Sequence, residues 1–122
     1  MGKELEKVKA EKVTLKIHGV EREIKFGFSA WAILEEEYGG LKNIEKLEKQ
    51  VKEKPFNTLP HLIYIGLVDK SPIIDGEEVF EITDKNILDD YGLADVDLIT
   101  DVFDRAFSGS LPTDEKKAVK EA

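Results

Sequence analysis

The sequence predicts an α+β domain, an N-terminal β-hairpin followed by a bundle of about five helices. Three observations predict it. Residues 13–26 alternate apolar and polar around a short turn, the segments after residue 28 carry apolar residues at helical spacing, and Leu59 to Val68 is almost continuously apolar. A helix with apolar residues most of the way round must be covered on several sides. The Leu59–Val68 stretch is therefore expected to be the buried axis and the amphipathic segments its covers. A hairpin first and helices after it give an α+β fold in one domain, here placed over residues 12–112.

Each element has its own local reason. Val13-Thr14-Leu15-Lys16-Ile17 and Val20 to Phe26 flank His18-Gly19, a two-residue turn. If Ile17 pairs with Val20, then Leu15 faces Arg22, Val13 faces Ile24 and Glu11 faces Phe26. Val13, Leu15, Ile17, Val20, Ile24 and Phe26 then share one face, on which Arg22 is the single charge. A lone hairpin is marginal in water, so this one must pack on helices or join a neighbour. Ser29 is expected to cap the next helix, which stops at Gly39-Gly40 and turns Phe28, Trp31, Leu34 and Tyr38 to the core. Leu41, Ile44, Leu47 and Val51 form a second stripe ended by Pro55, with Glu45–Lys49 and Glu48–Lys52 as exposed i,i+4 pairs. The apolar helix follows, capped by Asn57 or Thr58, with Pro60 in its first turn and Gly66 giving a neighbouring helix room to approach.

Asp69 to Phe80 reads as a loop or a small second hairpin around Asp75-Gly76. Thr83 is expected to cap a short helix ending at Tyr91-Gly92. The last helix starts near Asp95, and Ile99, Val102, Phe103, Ala106 and Phe107 follow the cleanest helical spacing in the chain until Gly109 and Pro112. Residues 1–11, with only Leu5 and Val8 apolar in the Lys/Glu run, are read as a mobile arm, and residues 113–122 as a disordered tail. Glu36-Glu37-Tyr38-Gly39 and Asp89-Asp90-Tyr91-Gly92 look alike, and two helix stops using the same chemistry account for them.

Composition narrows function mostly by exclusion. The net charge of −8, from 26 acids against 18 bases, repels nucleic acid and anionic lipid, and the bases are not gathered with aromatics. No cysteine is present, so disulfides, thiolate metal sites and cysteine nucleophiles are out, and a reducing cytoplasm fits. No apolar run approaches the roughly 20 residues of a membrane span. No secretory signal is visible, and Glu6 stands where a myristoylation site wants Ser or Thr.

The search for chemistry is equally spare. The two histidines, His18 in the turn and His61 opening the apolar helix, form no metal-binding pair. No serine sits in a nucleophile elbow, and Gly39-Gly40 lacks the residues of a phosphate loop. Asp97, Asp101 and Asp104 share a helix face, which reads as solvated surface and not as a calcium loop or a carboxylate pair. No enzyme, cofactor or metal is expected. One pattern breaks a local rule. Glu35, Glu36 and Glu37 precede Gly39, and Asp89 and Asp90 precede Gly92, so acids stand at predicted helix C-termini against the macrodipole. Either they meet a basic partner or nearby lysines such as Lys42 and Lys85 neutralise them. With Arg22, these five acids are the candidate partner-binding residues.

The order of segments resembles a known family. A hairpin leads into Phe26-Gly27-Phe28-Ser29-Ala30-Trp31-Ala32-Ile33-Leu34-Glu35-Glu36-Glu37-Tyr38-Gly39-Gly40. A charged helix, a buried helix, Ile82-Thr83-Asp84 and a last helix ending Ala106-Phe107-Ser108-Gly109-Ser110-Leu111-Pro112 follow. Over Val13 to Pro112 this layout resembles the tail assembly chaperones of long-tailed bacteriophages and prophages. The resemblance implies a non-enzymatic protein of the host cytoplasm, absent from the finished virion. It would bind the tape-measure protein and help tail-tube protein assemble around it. It also implies that the short acidic tail is the end of the shorter of two products, the longer made by a frameshift near Lys116-Lys117. It carries over no binding residues. The competing reading is a small acidic cytosolic adaptor or regulatory module unrelated to phage. In both readings the unpaired hairpin edge leaves room for a homo-oligomer.

Overall fold

Val13–Ile17 (β1) and Val20–Ile24 (β2) pair antiparallel with Val13 opposite Ile24, Leu15 opposite Arg22 and Ile17 opposite Val20, the register that the alternation demands. These positions belong to a computed structural model that describes residues 12–111. The expected arm over residues 1–11, the expected tail over 113–122, and the Glu11 end of the hairpin lie outside the described residues. His18 and Gly19 both take positive φ, 48° and 85°, as a tight two-residue hairpin turn requires. Leu15, Ile17, Ile24 and Phe26 are buried, while Val20, next to the turn, is partly exposed.

The hairpin both packs on helices and joins a neighbour. The Lys25 N–H donates to the Gly66 carbonyl at 2.7 Å, the Val68 N–H donates to the Glu23 carbonyl at 3.0 Å, and Leu67 bridges Ile24. The end of the apolar run is therefore extended backbone laid along β2. A Cβ on Gly66 would stand 2.9 Å from the Phe26 ring. The close approach that Gly66 permits is thus to the hairpin, not to the neighbouring helix that the sequence suggests.

Four α-helices follow among the described residues, one fewer than expected: α1 (Phe28–Tyr38), α2 (Ile44–Glu53), α3 (Pro55–Gly66) and α4 (Val96–Gly109). In α1 the cap position is Gly27, not Ser29, because the Trp31 N–H already bonds the Gly27 carbonyl at 2.9 Å. This start turns Ala30 inward beside Leu34 and leaves Phe28 outside the core. The helix ends at Gly39, φ 93°, whose N–H donates to the Glu35 carbonyl. A 3-10 turn, Gly40–Asn43, leads into α2, which buries Ile44 and Leu47 but leaves Leu41 half out. Lys49 approaches Glu53 at 4.0 Å, rather than Glu45 as expected.

Pro55 does more than end α2: it occupies the first position of α3, where a missing N–H is harmless and φ is already helical. The helix thus begins before Asn57 and Thr58, and neither caps it. Thr58 instead donates to the Gln50 carbonyl at 3.2 Å, tying α3 to the last turn of α2. Pro60 falls inside the helix rather than in its first turn. Leu62 and Ile63 are fully buried, and α3 packs against α1, α2 and α4, so this segment is the axis of the core. Phe26, Phe103, Phe107 and Trp31 close the other side of the core, Phe26 meeting both other phenylalanines edge-on at 5.6 and 5.7 Å.

A small second hairpin, β3 (Ile73–Asp75) and β4 (Glu78–Phe80), turns at Gly76. Phe80 stacks on His18 at 4.1 Å, fastening the two hairpin regions to each other. The helix expected from Thr83 to Tyr91 is a chain of turns. Thr83 does cap its first turn, accepting from the Lys85 and Asn86 N–H groups. The Asn86 amide, however, takes the Thr83 N–H and bonds the Glu81 carbonyl, and the later bonds reach back only three residues, as from Asp89 to Asn86 and Tyr91 to Leu88. An Asn side chain competing for backbone groups favours turns over a helix. In α4, Ile99, Val102, Phe103, Ala106 and Phe107 are all buried, as their spacing predicts.

Candidate functional site

Among the described residues, two of the open surface grooves carry strongly exposed aromatic or leucine side chains at their edges, and each joins segments distant in sequence. The first, about 1100 Å³, lies between α1 and the turn after it and is lined by Phe28, Trp31, Ala32, Glu35, Leu41 and Lys42, among others. Its edge carries Phe28, 97% exposed at the start of α1. Trp31, in the groove wall, donates its indole N–H to the Ser110 hydroxyl at 3.2 Å and leans on Phe107. The second, about 350 Å³, lies where the starts of α3 and α4 meet the turn segment. Phe56, Pro60, Leu88, Tyr91, Leu93 and Val96 are in its lining, with Phe56 60% and Leu93 75% exposed. Single exposed apolar side chains are ordinary, but several gathered along one open groove make a candidate interaction surface.

The candidate residues fall on both sides of this picture. Glu35 lines the first groove, while Asp89 and Asp90 stand between Leu88 and Tyr91 of the second. Glu35, Glu36, Asp89 and Asp90 are exposed, and among the described residues neither Lys42 nor Lys85 forms an ion pair with any of them. Burial raises the pKa of the Tyr91 hydroxyl, with Asp90 and Asp95 adding to the rise, so both carboxylates act on a side chain of the groove wall. Arg22 is engaged internally. Its side chain is 11% exposed, meets the Asp69 carboxylate at 3.1 Å and donates to the Asp69 and Ser71 carbonyls at 2.8 and 3.1 Å. A guanidinium with several donors in one plane suits this pinning of a loop.

Glu37 reaches a residue that the sequence leaves unassigned. His61 on α3 lies between two carboxylates, its Nε2 2.6 Å from Glu37 Oε1 and its Nδ1 3.1 Å from Asp84 Oδ2. Only an imidazolium donates from both nitrogens. Burial alone would lower the pKa of His61, but the bonds to Glu37 and Asp84 outweigh it and raise the pKa above 6.5. The end of α1, the axis helix and the start of the turn segment are joined through this one ring. No motif spacing points to it, because its partners lie 24 and 23 residues away.

The acids of α4 do not converge on a ligand. Asp101 pairs with Arg105 at 3.0 Å, and the Asp95 carboxylate accepts the Gly92 N–H. Burial, then Asp101, raises the pKa of Asp104. Among the described residues no group of three or more His, Asp or Glu is placed to hold a metal ion, and no helix is long and apolar enough to cross a membrane. Both outer edges of the first hairpin are partly occupied. The Tyr91 hydroxyl donates to the Lys16 carbonyl of β1 at 2.6 Å, and the Gly66–Val68 backbone lies along β2. Comparison with known proteins brings no match: no family model, no curated protein and no solved structure matches the chain.

Proposed function

We propose that this chain is a non-enzymatic protein-binding module of the tail assembly chaperone kind, holding a tape-measure protein in the host cytoplasm while tail-tube subunits assemble around it. The observation that carries the reading is the exposure of Phe28, Phe56 and Leu93 beside open grooves. Apolar side chains grouped beside an open groove are the kind of surface that a protein partner covers. A long helical client exposes apolar stripes before assembly, and a helix laid in a groove is a common way to shield them. The choice of client rests on the resemblance of the segment layout to tail assembly chaperones.

The test is co-expression with a tape-measure protein fragment. The expected result is that the tape-measure protein stays in the soluble fraction and copurifies. If it precipitates equally with and without this chain, the chaperone reading fails. The neighbouring genes give an independent check, since a tail-tube gene before this one and a tape-measure gene after it are expected.

A further inference from the structure

The two grooves differ in charge, and that difference says what the second one takes. The first is lined by one acid and one base, Glu35 and Lys42. The second has no charged side chain in its lining, but the residues next to that lining in sequence are mostly acids. Glu53, Asp89, Asp90, Asp95, Asp97 and Asp101 stand within two residues of it, against Lys54 and His61, and of these acids Glu53 and Asp101 are paired with Lys49 and Arg105. Asp89, Asp90 and Asp97 are exposed and form no ion pair among the described residues. Asp90 and Asp95 act directly on Tyr91 in the wall. The groove is thus open and apolar in its lining, with the carboxylates of Asp90 and Asp95 beside its wall at Tyr91 and Gly92.

We propose that the groove between α3, the turn segment and α4 is the docking site for a basic amphipathic helix. Its apolar stripe would seat between Phe56 and Leu93, and its flanking lysines or arginines would meet Asp89, Asp90 and Asp97. A helix offers apolar side chains at i, i+3, i+4 and i+7 on one face and places charges on both flanks. Carboxylates beside the groove draw such a helix in and disfavour acidic segments, including those of a second copy of this chain. This proposal rests on the protein-binding reading above, and it adds which groove is used and what the client's binding segment looks like.

The probe is a fluorescein-labelled helical peptide of about 18 residues made only of Leu and Lys, with the leucines on one face. It is titrated with the full chain and compared with a shuffled peptide of the same composition. The amphipathic peptide is expected to bind and the shuffled one to bind at least roughly tenfold more weakly. Phe56→Ala with Leu93→Ser should weaken binding by about tenfold or more, and Asp89→Asn with Asp90→Asn by several-fold, most visibly at low salt. Phe28→Ser with Leu41→Ser, in the other groove, should change little. All these residues are exposed, and circular dichroism of each variant confirms that it is folded. Equal binding of the two peptides, no binding, or a loss confined to the Phe28 and Leu41 variant would overturn the proposal. Repeating the tape-measure co-expression with the Phe56 and Leu93 variant separates the two readings. Peptide binding without tape-measure binding removes the client and leaves the groove, whereas undiminished tape-measure binding by the variant removes the groove and leaves the client.

Discussion

Glu36-Glu37-Tyr38-Gly39 and Asp89-Asp90-Tyr91-Gly92 are nearly the same four letters in two different structures. The first ends an eleven-residue α-helix, and Gly39 takes the left-handed conformation that closes it. The second ends a run of turns, and Gly92 is extended, φ −124° and ψ −170°. What the two regions share is how they are anchored. In each, an aliphatic side chain four residues before the tyrosine is buried, Leu34 at 1% and Ile87 at 2% exposure. In each, the tyrosine is half-buried and the acid two residues before it is exposed. The tertiary demand is common to both, and backbone geometry is left to the residues upstream. Behind Tyr38 stand Ala30, Trp31, Ala32 and Leu34, good company for a helix, whereas behind Tyr91 stands Asn86, whose side chain holds turn bonds instead.

The largest effects should fall on what the two regions share. Leu34→Ala and Ile87→Ala should each cost about 2–5 kcal/mol in urea unfolding, since each opens a cavity in the core. If Ile87→Ala were nearly neutral, the turn segment would be a passive loop rather than an anchored one. The glycines should then separate the regions. Gly39→Ala forces a left-handed alanine whose Cβ collides with the Asn43 side-chain amide, so a loss of about 1–3 kcal/mol is expected. Gly92→Ala meets open space at an ordinary φ and should stay within about 0.5 kcal/mol of the parent. Equal losses at the two glycines would mean that Gly92 also serves as a helix stop.

A smaller, pH-dependent effect should come from the ring that joins the regions. The folded pKa of His61 is raised above 6.5, so its contribution is fully present below the unfolded value and is lost as pH rises through the folded one. The stability difference between the parent and His61→Gln should therefore be largest near about pH 6 and close towards about pH 9. A difference independent of pH would show that the ring acts by shape and not by charge. The smallest effect concerns the helix dipole. Glu36→Gln should stabilise the isolated protein by about 0.3–1 kcal/mol, whereas Asp89→Asn, with no helix behind it, should not. Matching gains at the two positions would point to relief of overall negative charge instead.

Much of the fold was legible because its signals are local. The hairpin register follows from period-two alternation around His18-Gly19, and α4 follows from five apolar residues on one face. The sequence misled where one residue type serves two purposes. Pro55 reads as a stop but starts α3, Asn86 sits inside an expected helix but holds turns, and Phe28 fits a core stripe but precedes the first inward turn. The candidate site was legible only in part. Glu35 to Glu37 were found because they oppose the dipole of α1, whereas Asp89 and Asp90 were found through an expected helix that is a chain of turns. The grooves beside them arise where Phe56 meets Leu93, and His61 meets Glu37 and Asp84, across separations that no local pattern records.

The hydrogen bond from Tyr91 to the Lys16 carbonyl bears on how concentrated this protein can become. A hairpin at the margin of a small domain invites the strands of other copies to add to it, which ends in aggregation. Here an incoming strand would find the Lys16 carbonyl taken on one side and the Gly66–Val68 backbone already seated on the other. The first hairpin thus offers an incoming strand fewer free backbone groups than a bare two-stranded sheet would.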